Sequence, residues 1–345
     1  MQAEVPAPLP PSLDQSHPPV ARVRPASAWV AALLSIPSPG AGHLYARRAR
    51  RGAWWIAAFL FSIVLLAASV RTAAMPLLIA AVLCRWGIYA GTILDAAWIV
   101  RRRPGPRASI GTVVFGAVIA FAAVEANSTA VRAFVVEAFK NPSRSMFPTL
   151  KVGDHFFIDK LRRPSRGDVF VFPFPEHPNQ DFIKRVIGLP GERIRFRQGH
   201  PIINDVEVPS CYVGRASYDD ADSSVTHHEG KVYLERLGDR SYLTFYDESP
   251  GVFVDDQGPY VVADGEVFVV GDNRWNSHDS RMWWGGRGGG VRLSTGKGVP
   301  FVVWLAIGDN AGVDWSRFGL GLERPHLLPS MASLQDALDK CLASP

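Results

Sequence analysis

Apolar positions are distributed unevenly along this chain. Residues 28–124 are strongly apolar, and the remainder mixes apolar and polar positions as a globular domain does. Before the apolar region, residues 1–26 hold seven prolines and little else that packs, which predicts a disordered tail. Residues 28–36 form a short apolar run that Pro37, Pro39, Gly40 and Gly42 interrupt, a pattern expected of an interfacial or re-entrant piece. Three spanning helices are then predicted, near residues 53–70, 76–100 and 110–127. Trp54 and Trp55 mark one edge of the first, where amphipathic rings favour the membrane interface. The second contains Arg85 and Asp95, whose charges at membrane depth are costly and are expected to pack between helices.

Beyond residue 127 the period changes. Short β-prone runs lie at 168–174, 183–187, 202–208, 232–234, 242–246, 260–262 and 267–270, with Asn204-Asp205 and Asp264-Gly265 as turns. This predicts a mainly β, antiparallel domain of hairpins. Residues 333–342 carry apolar side chains at helical spacing, a small amphipathic helix. The expected organisation is a tail (1–26), an α-helical membrane anchor (27–127), a β domain (128–321) and a tail with a short helix (322–345).

Charge changes this picture in one respect. The net charge of +5 invites a nucleic-acid reading, but the arginines concentrate at Arg47, Arg48, Arg50 and Arg51 and at Arg101, Arg102, Arg103 and Arg107. Both clusters flank apolar runs, where Lys and Arg mark cytoplasmic loops, and no nucleic-acid-binding motif accompanies them. With three spans, the β domain is then expected on the opposite, extracytoplasmic face. The three cysteines, Cys84, Cys211 and Cys341, lack metal-site spacing, so neither a metal nor another cofactor is expected. A Cys211–Cys341 bond is left open.

Three polar islands carry candidate chemistry. The first, residues 141–150, holds Ser143 and Ser145 between Pro142 and Pro148, which favour extended backbone. Its plainer reading is a juxtamembrane linker. In the second, residues 181–192, Lys184 interrupts an apolar strand. It is either an edge-strand lysine or a buried one whose pKa falls until it can serve as a base. The third, residues 271–281, is rich in hydrogen-bonding groups directly after an apolar strand. It reads as a surface loop or as an ordered network beside a site.

Together the islands resemble bacterial type I signal peptidase (leader peptidase). The motifs are Ser-Met-x-Pro-Thr-Leu at residues 145–150, Ile-Lys-Arg-x-x-Gly-Leu-Pro-Gly-Glu at 183–192, and Gly-Asp-Asn-Arg-x-Asn-Ser-x-Asp-Ser-Arg at 271–281. The resemblance covers about residues 130–320. It implies a largely antiparallel β catalytic domain held at the bacterial inner (plasma) membrane by a transmembrane anchor. It also implies a serine endopeptidase that removes signal peptides from exported preproteins, with those peptides and the lipid bilayer as partners. Residue by residue, it implies Ser145 as nucleophile, Lys184 as general base and Ser143 as oxyanion donor. Ser277 would orient the lysine, Asp279 and Arg281 would form a supporting salt bridge, and Asp272 and Asn273 would complete the support. Phe139, Asn141, Pro142, Met146, Leu150, Phe156 and Ile183 would line the substrate pockets.

Departures from the resemblance bear on substrate preference. Asn141 and Phe156 stand where smaller or aliphatic residues are usual, and residues 282–290 blur a Trp-Gly pattern. A specialised peptidase for a restricted substrate therefore stays open, as does a membrane-tethered β domain that binds peptides without cutting them. A Ser-His-Asp hydrolase using His155 or His278 is a further alternative, although no Gly-x-Ser-x-Gly elbow surrounds any serine.

Overall fold

A computed structural model describes residues 24–71, 75–220, 227–248, 256–308 and 312–344. Nearly all of the expected disordered tail, residues 1–26, lies outside them. Five helices come first: α1 (Ala28–Ser35), α2 (Ala41–Tyr45), α3 (Ala49–Arg71), α4 (Met75–Arg102) and α5 (Ile110–Phe134). The apolar stretches within α3, α4 and α5 run 21, 27 and 25 residues, against the ~20 that a bilayer core requires. Each helix outruns the span read from apolarity, because backbone hydrogen bonding continues into the polar flanks that hydropathy excludes.

The chain divides into two compact units, one drawn from Met1–Phe61 and Arg85–Glu125, the other from Ser62–Cys84 and Ala126–Pro345. In the first, the interrupted run is built as the short helix α1, a turn and α2. The turn uses Gly40 in left-handed backbone (φ +89°), and Gly42 lies so close to α1 that a Cβ would sit 1.9 Å from the Ala31 carbonyl oxygen. The two charges expected to pack between helices do so. Asp95 accepts from Trp55 Nε1 at 2.8 Å and from Arg51 at 2.7 Å twice, and lies 2.9 Å from His43 Nε2. The Arg85 guanidinium sits over the Phe59 ring, 4.3 Å from its centroid.

The second unit carries fifteen strands among the described residues. They are β1 (Val136–Lys140), β2 (Asp154–Asp159), β3 (Val169–Phe174), β4 (His177–Gly188), β5 (Arg193–Arg197), β6 (His200–Ile203), β7 (Val206–Glu207), β8 (Ser210–Asp219), β9 (His227–Leu237), β10 (Arg240–Asp247), β11 (Gln257–Val261), β12 (Glu266–Val270), β13 (Val291–Arg292), β14 (Val299–Ala306) and β15 (Leu320–Gly321). They form four sheets of order β1-β2-β14-β15, β13-β12-β4-β3, β11-β5-β6-β7 and β10-β9-β8. Every strand-to-strand ladder is antiparallel. Asn204 and Asp205 close the β6–β7 hairpin, both with positive φ (49° and 67°), as a primed two-residue turn demands.

The C-terminal helix α6 (Gln335–Ala343) packs Leu338 and Cys341 against Val213, Val232 and Leu234 of the β8–β9 sheet. Cys211 of β8 and Cys341 of α6 are joined as a disulfide, which settles the pairing that composition left open. The bond ties positions 130 apart, so it restricts the unfolded chain strongly. Cys211→Ser is expected to lower the stability of the β domain by about 2–5 kcal/mol. Thermal unfolding of the variant, and of the wild type with a reductant, reads this. Identical transitions in all three samples would rule out a stabilising role.

Candidate active site

β4 is the central element. Its second half, Ile183 to Gly188, is buried, flanked by β3 on one side and β12 on the other. Lys184 lies opposite Phe170 in that ladder and is 4% exposed. β4 is paired on both sides and Lys184 is buried, which is why the edge-strand reading fails. Its amine lies 2.9 Å from Ser145 Oγ and donates to the Ile183 carbonyl at 3.0 Å. Burial pulls its pKa down from 10.5 to about 8; the charges of Asp279 and Asp272 oppose the fall and Arg281 adds to it.

The Ser145 segment bridges β1 and β2 and is pinned at many points. Met146 and Leu150 are fully buried in the core with Phe156, Ile158 and Ile183. The Asn141 side-chain amide donates to the carbonyls of Ser143 and Lys151, 2.9 Å each, so it clamps the segment from within. Asn273 N–H donates to the Ser145 carbonyl at 3.1 Å. Ser143 Oγ lies 3.0 Å from Ser145 Oγ, on the same side of the segment.

Behind these groups sits a layer of buried ion pairs. Asp272 receives Arg185 at 2.6 and 2.5 Å and the Thr149 hydroxyl at 2.5 Å. Asp279 receives Arg281 twice at 2.8 Å and the Gly271 N–H at 3.0 Å. Burial alone would raise the Asp279 carboxyl, but Arg281 and the Gly271 N–H hold it below the ordinary range. Gly271 has no room for a side chain: a Cβ would lie 2.3 Å from Ser277 Oγ and 2.5 Å from the Ser145 carbonyl oxygen. Ser277 is buried beside Gly271, and its hydroxyl supports the Asp279 carboxylate. Among the described residues the Lys184 amine bonds to Ser145 Oγ and the Ile183 carbonyl, and not to Ser277.

The residues open onto a cleft of about 440 Å³. Asn141, Pro142 and Ile183, expected in the substrate pockets, line it with Ser143, Ser145 and Lys184. Phe139 stands behind, stacked on Phe156 at 6.3 Å. Met146, Leu150 and Phe156 face the interior rather than the cleft, because an apolar strand and loop bury these side chains against Val303. His278 reaches the cleft but lies 3.5 Å from Glu176, and His155 packs edge-on against Trp304. Ser145 is thus hydrogen-bonded to a lysine and a serine, and no histidine is among its partners in the described residues.

Sequence reasoning gave no role to Arg185, Arg274, Glu235, Asp154, Arg317 or Tyr218. Arg274 and Glu235 form a fully buried pair at 2.5 and 2.6 Å, and Arg317 and Asp154 another at 2.5 and 2.8 Å. Arg185 and Arg274 stood inside the motifs, and their charge beside apolar runs was the available signal. Asp154, Glu235, Arg317 and Tyr218 lie outside the motifs and gave none.

A serine hydroxyl within hydrogen-bonding distance of a buried lysine, on a rigid β scaffold, is an arrangement suited to nucleophilic acyl transfer. The family model described as "Signal peptidase, peptidase S26" matches residues 110–304, and the chain belongs to that family. It is 35% identical over 170 residues to signal peptidase I of Pseudomonas aeruginosa, a match covering 44% of this chain and 57% of that protein. With signal peptidase I of Aquifex aeolicus it is 31% identical over 212 residues, covering 51% and 78%. The chain thus spans little more than half the length of the Pseudomonas relative. A solved signal peptidase I from Enterococcus faecalis is 28% identical, with a TM-score of 0.24 and coverage of 40% of this chain and 97% of that one.

Proposed function

We propose that the protein is a membrane-bound serine endopeptidase that removes signal peptides from exported preproteins through a Ser145/Lys184 dyad. The observation that carries this reading is the 2.9 Å approach of a buried lysine amine to Ser145 Oγ. Membership of the signal peptidase family supports it.

In this reading neutral Lys184 takes the Ser145 proton as Oγ attacks the scissile carbonyl. The Ser143 hydroxyl and the Ser145 N–H stabilise the resulting oxyanion. The C–N bond breaks, Lys184 returns the proton to the departing amine, and an ester remains on Ser145. Water then attacks the ester, giving its proton to Lys184, and the carboxyl product leaves with Ser145 restored. Pro142 and Ile183 offer a small apolar wall suited to the short side chains that precede a signal-peptide cut. Asn141, its amide already bonded to the backbone, holds this wall more than it selects among residues. The test is incubation of the detergent-solubilised full chain with a model preprotein, the cut site being read by mass spectrometry. Cleavage after a small residue at the end of the signal peptide is expected; an intact preprotein would refute the activity.

The arginine clusters support a three-span, multi-pass arrangement in the bacterial plasma membrane, with the β domain on the extracytoplasmic face. Reporter tags near residues 20 and 105 are expected to read cytoplasmic, and one near residue 330 extracytoplasmic. An extracytoplasmic signal at 105 would overturn the arrangement.

A further inference from the structure

Two polar segments meet at Ser145, and one side chain that the chemistry above leaves idle touches both. Tyr218 lies near the end of β8 and is 7% exposed. Its hydroxyl accepts the side-chain amides of Asn273 at 2.9 Å and Asn276 at 3.0 Å, both in the 271–281 loop. Its ring packs on Phe147 at 4.7 Å and carries the Arg144 guanidinium 5.3 Å from the centroid, so it holds residues on either side of the serine. Asn273 closes the connection by donating to the Arg144 carbonyl at 3.3 Å and, through its backbone N–H, to the Ser145 carbonyl at 3.1 Å. The platform behind is firm. His228 of β9 stacks on Tyr218 at 4.7 Å and is itself bonded to Asp247 of β10.

Resting on the peptidase reading, we propose that Tyr218 is a positioning residue that fixes the Ser145 segment against the 271–281 loop. Arg144 and Asn276 also line the cleft, so the phenol stands directly behind its wall. Without the hydroxyl, two amides lose their shared acceptor at a buried site, and the loop must shift to satisfy them. Lys184 sits on β4, which meets that loop through Asp272 and Arg185 and not through Tyr218, so a shift at the Tyr218 end changes the distance between the serine and its base.

The test compares wild type, Tyr218→Phe, Asn276→Ala, the double variant and Ser145→Ala as full chains in detergent. Phenylalanine keeps the ring contacts, so the fold is expected to survive. The kcat of Tyr218→Phe should fall about 10- to 100-fold while KM stays within about threefold, because a misplaced nucleophile slows chemistry more than binding. The double variant should be no more than about threefold worse than Tyr218→Phe, since both changes act on one network. Hydrogen exchange of residues 141–150 and 271–281 should accelerate in Tyr218→Phe and not in Ser145→Ala. Wild-type kcat, unchanged exchange in both segments, or faster exchange spread over the whole β domain would each overturn the proposal. If the wild type cuts no substrate, the peptidase reading fails separately, and the exchange comparison still decides the role of Tyr218.

Discussion

Replacing Ser145 or Lys184 by alanine is expected to lower kcat/KM by on the order of 10⁴-fold or more, with the β domain still folded. In the proposed mechanism Ser145→Ala removes the attacking oxygen. Lys184→Ala removes the group that takes its proton, and the described structure holds no histidine within hydrogen-bonding distance of Oγ to replace it. The two losses should not add, because each disables the same step. The pH profile is a sharper test. Only the neutral amine accepts a proton, and burial holds its pKa at about 8. The wild-type rate should therefore rise with pH, reach half its plateau near 8 and level off above. Lys184→Arg, charged at every accessible pH, should be inactive throughout. Cleavage at more than a few per cent of the wild-type rate in any of these variants would sink the dyad assignment, and a profile flat from pH 6 to 9 would remove the lysine from it. His155→Ala and His278→Ala serve as controls and should retain activity.

What the sequence made legible follows from how local each signal is. The three long helices were visible because each is a continuous apolar run, and the β6–β7 hairpin because Asn204-Asp205 tolerates positive φ. The first half of β4 was not legible. Residues 177–181 are polar and exposed, so neither alternation nor a buried run marks them as strand; pairing with β3 alone makes them so. The disulfide needed the fold, since nothing local brings positions 130 apart together. The approach of Lys184 to Ser145 was legible because each lies in a motif of many residues. The layer behind them was only half visible. Arg281 and Asp279 are neighbours in one loop, whereas Glu235 meets Arg274, and Arg317 meets Asp154, only through tertiary folding. Tyr218 was invisible for a different reason: a tyrosine in a strand is unremarkable until the partners of its hydroxyl are known.

Burying Lys184 has a stability consequence that can be separated from catalysis. Unfolded, the amine keeps its ordinary pKa of 10.5; folded, burial holds it near 8. The sign follows from proton counting. Between those two values the unfolded chain binds a proton that the folded chain does not, so stability rises with pH across the window from about 8 to 10.5. Below it both states are protonated and the fold carries the full cost of the buried charge, about 3 kcal/mol at 1.36 kcal/mol per tenfold change. Lys184→Met keeps the length and apolar body of the side chain and removes the charge. It forgoes the bonds to Ser145 Oγ and the Ile183 carbonyl, worth about 1 kcal/mol each. The variant is therefore expected to be inactive yet more stable than wild type at pH 7, by roughly 1–2 kcal/mol. For a domain of this size that is about 2–8 °C in the unfolding midpoint. The advantage should shrink as pH rises and vanish or reverse by pH 10.5, where the wild-type lysine is neutral when folded and half neutral when unfolded, and keeps its hydrogen bonds. Thermal unfolding of the two proteins at pH 7 and pH 10.5, followed by tryptophan fluorescence, measures the gap at each end. A gap independent of pH would mean that Lys184 is charged in the folded protein at neutral pH without penalty, and that its burial does not set its basicity.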